Sequence, residues 1–421
     1  MTGAAAAGLT VTGARLAGET VGVRCVDGLI EAIGPGVQAQ RGDETIDAAG
    51  APLLPPLVNG HTHAAMTLFR GSGGDLPLMP WLQERIWPIE AKLDDEDVYW
   101  GTRLACAEMI RSGTSRFWDM YWQPGATARA VADSGLRATI GAPLFDIDGD
   151  TEKLKRWAHE SLEVLAEAAR NPRIAPALAP HAIYTVSEGS LRWIAELGAE
   201  RGVPVQIHLS ETAKEVDDCL AAHGERPAAY LDRLGMLNER TLLAHGVWLD
   251  ADELALIAAR GATVVTNPVA NMKLAVGGIF PYPAARAAGA AVGLGTDGAG
   301  SNDSLDLLAD LKFFALTQKH AAGDPTAVDA AEAWAVATGA RAPFLGASPL
   351  APGEPADFLL LDAVAPQIAV GDLTEDLVYA AAGAVVDTMV VAGRILMRGG
   401  EIPELEEIVA RAAERARRLG L

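Results

Sequence analysis

Hydrophobic and polar positions follow two different patterns along the chain. Over the first fifty residues, short apolar runs alternate with turn residues, and the VDG at 26–28 is a plausible hairpin turn. The same β texture returns after about residue 345, in PADFLLLD, TEDLVYAAAG and VDTMVVAGRILMRGG, before a terminal amphipathic helix. We therefore expect residues 1–52 and 346–421 to form one small β-sandwich domain built from both ends of the chain.

Between these ends, apolar strand-like runs alternate with Ala-rich amphipathic stretches. Strands that alternate with helices predict parallel pairing with crossover connections. Eight such units are the number that closes a (β/α)₈ barrel of the TIM type. We therefore predict an α/β fold with a barrel domain over residues 53–345. Its candidate strands are 53–60, 114–120, 137–145, 173–180, 203–209, 241–247, 262–267 and 290–297.

Histidines stand at the ends of several predicted strands, where a barrel of this type builds its active site. His61 and His63 end the first strand, and in an extended segment they point the same way, because residues two apart share a face. A helix would set the two side chains far apart. The remaining polar strand ends are His181 (fourth strand), His208 (fifth), His245 (sixth) and Asp297 (eighth).

Each of these residues alone has an ordinary structural explanation. A lone histidine after an apolar run is more often a hydrogen-bonded core residue than a ligand, and an Asp in GLGTDGAGS is usually a turn or cap residue. In a (β/α)₈ barrel, however, all of these strand ends lie at the same open end of the barrel. Three neutral imidazoles and one carboxylate suit Zn²⁺, or alternatively Fe²⁺, with one position open to water. The other histidines, His159, His223 and His320, fall in helical or loop segments and are expected to be exposed.

Glu211 follows His208 by three residues and lies just past the fifth strand. A carboxylate there can sit beside the activated water without binding the metal, which is the place for a proton shuttle. The alternative is a surface glutamate at the start of the helix ETAKEVDDCL, where the helix dipole favours it. Because the predicted metal ligands would lie close to Glu211, we favour its role as a proton shuttle.

Charge and composition narrow the function classes. The chain has 421 residues, with 34 Lys and Arg against 55 Asp and Glu, and its net charge is −21. This acidity argues against nucleic acid or an anionic membrane surface as a partner. Cys25, Cys106 and Cys219 are widely spaced, which is typical of buried thiols in a reducing compartment. With no signal peptide or membrane-length apolar run in the sequence, we predict a cytoplasmic protein.

The chain also resembles the amidohydrolase superfamily, within it the branch of adenosine-type deaminases and chlorohydrolases. It is most similar to enzymes that deaminate 5′-methylthioadenosine, S-adenosylhomocysteine and related adenosines. The resemblance implies a metal-binding (β/α)₈ barrel with a two-segment β-sandwich, and relatives are often dimers or larger, so a homodimer or homotetramer is expected. The matching motifs are LVNGHTHAAMTLFRG, PWLQERIWPIE, GTSRFWDMY, APHAIYTVS, IHLSETAKE, LLAHGVWL, TNPVANMKL, GTDGAGSNDSLD, PGEPADFLLLD and VDTMVVAGRILMRGG.

The resemblance implies a role for each matching residue. Trp81 and Glu90 would serve the nucleoside, with Glu90 binding the ribose hydroxyls. For Trp81 the alternative is ordinary core packing. His181 would lie near the purine and ribose, and Ser301 beside the purine ring. The implied metal ligands are His61, His63, His208 and Asp297, with Glu211 as proton shuttle and His245 orienting the hydrolytic water.

Two departures from the family pattern stand out. Relatives that accept S-adenosylhomocysteine hold its carboxylate with arginines, where this chain has Ala142 and Leu154. Losing a bidentate arginine weakens carboxylate binding, so we favour adenosines with a neutral 5′ group. Candidates to replace the arginines are Lys153, Lys155 and Arg156. The second departure is Pro55-Pro56, where relatives often have Pro-Gly.

The predicted reaction is hydrolytic deamination of an adenosine-type nucleoside, which gives the inosine analogue and ammonia. One alternative is a related hydrolase that acts on guanine, a pterin or a chlorotriazine. A binuclear cyclic-amide hydrolase is disfavoured, because it needs a carboxylated lysine at a strand end. A non-catalytic metal-binding scaffold would be expected to have lost some of Glu211, His245 and Asp297, yet all are present.

Overall fold

The computed structural model describes residues 8–72 and 76–421, over which strands and helices alternate. The strands are β1 (Leu9–Leu16), β2 (Glu19–Val26), β3 (Leu29–Gly34), β4 (Glu44–Asp47), β5 (Leu53–Leu54), β6 (Leu57–Thr62), β7 (Thr114–Met120), β8 (Arg137–Leu144), β9 (Ile174–Pro180), β10 (Val205–Leu209), β11 (Thr241–His245), β12 (Thr263–Thr266), β13 (Ala291–Leu294), β14 (Phe358–Leu361), β15 (Val386–Val391) and β16 (Arg394–Met397).

The helices connect most of these strands. They are α1 (Leu78–Trp81), α2 (Trp87–Glu90), α3 (Asp95–Arg111), α4 (Pro124–Ser134), α5 (Thr151–Ala168), α6 (Glu188–Arg201), α7 (Ala213–His223), α8 (Pro227–Arg233), α9 (Ala251–Arg260), α10 (Pro268–Lys273), α11 (Tyr282–Ala288), α12 (Leu307–Ala322), α13 (Ala330–Ala337), α14 (Leu373–Tyr379) and α15 (Leu405–Leu419). A π-helical segment, Leu82–Ile86, joins α1 to α2, and 3-10 turns cover Ala64–Phe69, Pro343–Leu345, Pro366–Ile368 and Gly383–Val385.

Strands β6 to β13 form one parallel sheet in sequence order, with helices in the connections. Its two edges meet, because the Asn59 side chain on β6 donates to Thr296 Oγ1 (2.7 Å) and accepts from Thr296 N (3.1 Å). Side chains alternate between the two faces, so Leu242 packs with the interior cluster and Leu243 with the helices outside. The predicted (β/α)₈ barrel is confirmed.

The two ends of the chain build two further four-stranded sheets, ordered β3-β2-β1-β4 and β16-β15-β14-β5. Their inner faces share one apolar core, to which Val11 and Val23 contribute from the first sheet and Phe358 and Val390 from the second. The predicted turn at 26–28 joins β2 to β3, with Asp27 and Gly28 both at positive φ (51° and 79°), as a type I′ hairpin requires. This is the sandwich that the β texture of both ends predicts.

Two predicted strands differ in the structure. Leu53–Leu54 pair with β14 in the second sheet, and Pro55-Pro56 separate them from β6, so the predicted strand over 53–60 is two strands. Proline lacks the N–H that a continuous ladder would need. The expectation of β structure in TEDLVYAAAG was wrong, because this segment forms α14. Asp372 caps that helix by accepting from the N–H groups of Thr374 (2.9 Å) and Glu375 (3.1 Å).

A buried ion pair joins the barrel to the second sheet. Asp357 is fully buried and accepts from Arg137 Nε (2.7 Å) and Nη2 (3.0 Å) on β8. Ser348 Oγ (3.0 Å) and the Ala392 N–H (2.7 Å) complete its hydrogen bonds. Because every carboxylate lone-pair direction has a donor, the charge is well compensated at this junction.

Helix α15 packs against the barrel at α3 and the segment before it. Arg415 Nε donates to the buried Asp97 Oδ1 (2.6 Å), and Arg418 Nη2 donates to the Lys92 carbonyl (3.0 Å). Leu421 packs in the same cluster as Ile89, at the far side of the segment that carries α1 and α2. The helix therefore supports that segment from outside.

Two expectations from composition concern individual residues. Cys25, Cys106 and Cys219 are all buried and free of disulfides, as predicted. His159, His223 and His320 are exposed on helices, also as predicted. Across residues 8–72 and 76–421, none of the helices combines the length and the apolar character that a bilayer crossing requires.

Candidate metal centre and substrate cavity

A cavity opens at the carboxyl ends of the barrel strands. Its walls combine apolar and aromatic side chains with several polar groups, which is a usual composition of a small-molecule site. The apolar wall includes Met66, Leu78, Trp81, Leu82, Ile86, Trp87, Met120, Trp122, Pro143, Phe145 and Leu274, and the polar groups are His63, Glu90, Tyr121, His181, Tyr184, His208, Glu211, His245 and Asp297.

His61 and His63 lie side by side at the end of β6, with ring centroids 4.9 Å apart. His61 is fully buried, and His63 Nδ1 donates to the Met120 carbonyl (2.6 Å). A backbone partner for Nδ1 leaves Nε2 of His63 as the free ligand atom. The prediction that the two rings share one side of the strand is confirmed.

His208 and Asp297 complete the group. His208 Nδ1 donates to the His181 carbonyl (2.7 Å), and its ring centroid is 4.9 Å from that of His61. Asp297 Oδ1 lies 3.2 Å from His63 Nε2 and 3.5 Å from His61 Nε2. Burial opposes ionisation of Asp297, but these two rings outweigh it and hold the pKa of Asp297 well below its usual range.

These residues are suited to hold a divalent ion, because several of their buried polar atoms lack a hydrogen-bond partner in the described part of the chain. Both ring nitrogens of the buried His61, and Asp297 Oδ1, lack a hydrogen-bond partner among the described residues. Buried polar atoms are nearly always paired, so their convergence points to a cation that they would hold. Burial also lowers the pKa of His61 to about 4, which keeps this imidazole neutral, as a metal ligand must be.

The pKa of His63 is shifted in the opposite direction to that of His61. Burial alone would lower its pKa, but Asp297 and the Met120 carbonyl raise the pKa of His63 to about 9. A divalent ion competes with that proton, because ligation needs the neutral ring. Two sets of three residues bring their ligand atoms close enough together to hold one metal ion. The first set is His61, His63 and Asp297, and the second is His61, His208 and His245.

Glu211 and His245 lie next to this group. Glu211 Oε1 is 3.8 Å from His245 Nδ1, and the same ring nitrogen donates to Asn271 Oδ1 (2.8 Å). Burial raises the pKa of the Glu211 carboxyl. A carboxyl with a raised pKa beside a water-activating group can both accept and return a proton near neutral pH.

Strained backbone positions cluster at these strand ends. Ser210 (φ 50°), His245 (φ 75°) and Asp297 (φ 61°) occupy the left-handed region, which residues other than glycine rarely adopt. The Asp297 N–H donates to the His61 carbonyl (3.0 Å), which ties its conformation to the metal group. Such strain persists only where the surroundings fix it, and it is typical of functional sites.

Of the four residues predicted to bind the nucleoside, three line the cavity and one does not. Trp81 and Glu90, on α1 and α2, line the cavity, and so does His181, whose ring stacks on Phe145 at 4.7 Å. Burial raises the pKa of Glu90. Ser301 is absent from the cavity wall. Its buried hydroxyl donates to Asp297 Oδ2, so it holds one oxygen of that carboxylate.

Two further residues of the site were not predicted from the sequence. Tyr121 directly follows β7 and lines the cavity, and Glu215 accepts from the N–H groups of Ser210 (2.8 Å) and Glu211 (2.9 Å). The signal for Tyr121 was its position at a strand end, the same rule that singled out the histidines. Glu215 lies on α7, where a glutamate ordinarily faces solvent.

The cavity continues into two neighbouring chambers past Trp122 and Phe145, which line all three spaces. One chamber is mainly apolar, and the other is lined by Lys153, Leu154 and Arg156. Lys153 is paired with Asp148 (3.1 Å) and Lys155 with Glu152 (2.9 Å). Ala142 and Leu154 are both buried apolar side chains, so neither position offers a charge.

Comparison with known proteins adds an independent line of evidence. The amidohydrolase family model matches residues 53–396. The chain is 48% identical over 379 residues to a 5′-deoxyadenosine deaminase from Methanoregula boonei, covering 89% of this chain and 86% of that one. It is 41% identical over 390 residues to 5-methylthioadenosine/S-adenosylhomocysteine deaminase 1 from Archaeoglobus fulgidus, covering 91% and 92%.

Solved structures agree. An adenosine deaminase from Xanthomonas campestris with bound zinc superimposes with a TM-score of 0.91 at 34% identity, over 98% of this chain and 99% of that one. A triazine hydrolase from Arthrobacter aurescens gives a TM-score of 0.88 at 22% identity, which supports the fold alone. The family match and the His/Asp cluster together support a divalent-metal site.

Proposed function

The chain belongs to the amidohydrolase family, and on that premise we propose that it is a metal-dependent deaminase that hydrolyses adenosine-type nucleosides to the inosine analogue and ammonia. The observation that carries this proposal is the convergence of His61, His63, His208 and Asp297, with Glu211 lining the same cavity as the last three. The relatives named as deaminases of 5′-deoxyadenosine and 5-methylthioadenosine supply the substrate class.

The proposed ligands of the ion are His61, His63, His208 and Asp297. We propose zinc, because the donor set suits it and the Xanthomonas relative holds zinc. When bound, a divalent ion of this kind supplies a hydroxide nucleophile near neutral pH, because it lowers the pKa of water. Ser301 supports the site indirectly, since its hydroxyl fixes the second oxygen of the Asp297 carboxylate.

The other residues direct the nucleophile and the protons. Asp297 and His245 orient the attacking oxygen towards C6 of the purine. Glu211 takes up a proton of the attacking water at its carboxylate and delivers it to the ring nitrogen. The second water proton, on the new C6 hydroxyl, passes to the amino group, so that the C–N bond breaks, ammonia leaves and a C6 carbonyl forms. The raised pKa of Glu211 suits this task, because its carboxyl exchanges a proton more readily near neutral pH.

The nucleoside would bind across the cavity from the metal group. Trp81 and His181 offer aromatic surfaces for the purine, and the Glu90 carboxylate would accept hydrogen bonds from the ribose hydroxyls. A neutral 5′ group is favoured, because Ala142 and Leu154 supply no charge for a carboxylate. Arg156 is the one cation of the side chamber without an ion pair among the described residues, so S-adenosylhomocysteine is retained as a test substrate.

The test is ammonia release by zinc-reconstituted protein from adenosine, 5′-deoxyadenosine, methylthioadenosine, S-adenosylhomocysteine, guanine, a pterin and a chlorotriazine. We expect turnover of the adenosines, with neutral 5′ groups preferred over S-adenosylhomocysteine. Turnover of guanine, the pterin or the chlorotriazine without any adenosine would refute the proposed substrate class.

The role of Glu211 is tested by Glu211→Gln, which should retain the metal and lose turnover by several orders of magnitude. The matched control is Glu332→Gln, because Glu332 is also a buried glutamate but pairs with Tyr282 and Arg341 far from the cavity. The control should change stability and preserve kcat. Full activity of Glu211→Gln with normal metal content would refute the proton role.

A further inference from the structure

Tyr121 holds a polar group inside the cavity that the proposed chemistry does not use. It follows β7 directly, and its backbone N–H donates to the Gly141 carbonyl (3.2 Å), which fixes the residue to the next strand. Its side chain is only 2% exposed, yet it forms part of the cavity wall. The phenol therefore faces the substrate space from a rigid strand end.

The Tyr121 hydroxyl forms no hydrogen bond of ordinary length among the described residues, and the Glu90 carboxyl is its polar neighbour. Buried hydroxyls are usually paired, because leaving one unpaired after desolvation costs free energy. A phenol keeps its proton at neutral pH, so the group is an O–H donor. A substrate atom that accepts a hydrogen bond would satisfy it.

Glu90 supplies the complementary chemistry beside it. Both side chains line the cavity, and each shifts the pKa of the other. The Glu90 carboxyl offers acceptor oxygens, and the Tyr121 phenol can donate a hydrogen bond. Two adjacent hydroxyls on a sugar present both a donor and an acceptor, which is the pattern that this pair can match.

We propose that Tyr121 and Glu90 together bind the vicinal hydroxyls of the substrate ribose, with the Tyr121 hydroxyl donating to one sugar oxygen. Tyr121 is thus a substrate-binding residue that distinguishes a ribonucleoside from its deoxy analogue. This inference rests on the proposed nucleoside deamination. The distinction arises because a deoxy sugar leaves one of the two buried polar groups unpaired.

The test compares Tyr121→Phe with the wild type on adenosine, 2′-deoxyadenosine and 3′-deoxyadenosine. Removing the hydroxyl should lower kcat/KM for adenosine about tenfold, mainly through KM, as expected for one hydrogen bond of about 1.4 kcal/mol. The loss should vanish on the deoxy analogue that lacks the contacted oxygen. An equal loss on all three nucleosides, or no loss on adenosine, would overturn the inference.

Glu90→Gln on the same three nucleosides gives a second measurement that does not depend on the tyrosine variant. Its loss should also shrink on a deoxy analogue, and a loss independent of the sugar hydroxyls would contradict the pairing. If the wild type deaminates no nucleoside, the proposed function itself fails. That result is distinct from a wild type that deaminates all three and loses nothing with Tyr121→Phe.

The matched control is Tyr282→Phe. Tyr282 is also a buried tyrosine, but its hydroxyl donates to Glu332 outside the cavity. The control should lower thermal stability while leaving the ratio of kcat/KM between adenosine and its deoxy analogues unchanged. A shift of that ratio in the control would show that any lost tyrosine hydroxyl produces the effect, and would count against the inference.

Discussion

Glu215→Ala tests whether the peptide that carries Glu211 is held in place from the interior. Glu215 is nearly fully buried, and its two carboxylate oxygens accept from the backbone N–H groups of Ser210 (2.8 Å) and Glu211 (2.9 Å). Ser210 is also at φ 50°, a conformation that needs such support. Removing the carboxylate therefore releases a strained peptide beside the proposed proton shuttle.

The size of the effect follows from the two hydrogen bonds. Each buried N–H left without an acceptor costs about 1–3 kcal/mol, so Glu215→Ala should lower the free energy of unfolding by about 2–6 kcal/mol. Glu215→Gln keeps one acceptor oxygen and should lose about half as much. Displacing Glu211 by about 1 Å should lower kcat roughly 100-fold with a smaller change in KM.

The assays are urea unfolding, steady-state deamination and metal content. Glu253→Gln is the matched control, because Glu253 is another buried glutamate that accepts from two backbone N–H groups, those of Ala228 (3.0 Å) and Asp250 (3.2 Å), away from the cavity. It should lose stability and keep kcat. Wild-type stability together with wild-type kcat in Glu215→Ala would refute the reasoning.

The same residue predicts a pH dependence. Burial, with the charge of Glu211, raises the pKa of Glu215 to about 8 against the effect of its N–H partners. Since this value is above the ordinary 4.5, the folded state keeps a proton that the unfolded chain releases. Wild-type stability should therefore fall relative to Glu215→Gln as the pH rises from 4.5 to 8, by up to about 1.4 kcal/mol per pH unit. A parallel pH profile of the two proteins would contradict this shift.

Three further predictions concern the frame of the site. Asp357→Ala should cost about 3–5 kcal/mol in urea unfolding, because it leaves a buried arginine unpaired, and should leave KM unchanged. Gly295→Ala should abolish metal binding measured by titration, because the added Cβ would lie 2.9 Å from the His61 backbone. The control Gly189→Ala adds a Cβ in open space and should bind the metal normally. Chelation should lower Tm and zinc should restore it, because an ion that binds only the folded state stabilises it; an unchanged Tm would contradict a bound ion.

The sequence was most informative where one rule governed many residues. The barrel followed from alternating strands and helices, and the metal group followed because parallel strand ends meet at one mouth. His61, His63 and Asp297 were found this way although each alone is ambiguous. The direction of the Ser301 hydroxyl could not be predicted, because it depends on the tertiary position of Asp297 Oδ2.

The remaining errors have local causes. TEDLVYAAAG contains β-branched and aromatic residues, but the preceding Asp372 and the glutamate three residues later form a helix-capping pattern that should have outweighed them. Tyr121 was overlooked because a tyrosine in the apolar run TSRFWDMY suggests core packing. Only the structure shows that this residue lines the cavity beside Glu90 and that its hydroxyl lacks a hydrogen bond of ordinary length.

Helix α15 has a consequence for nucleoside binding. It braces the segment that carries Trp81 and Glu90, through Arg418 at Lys92 and Leu421 beside Ile89. This helix follows every barrel strand in the chain, so the proposed metal ligands all precede the brace of the nucleoside-binding wall. Loss of helix α15 would therefore weaken nucleoside binding before it affected metal loading.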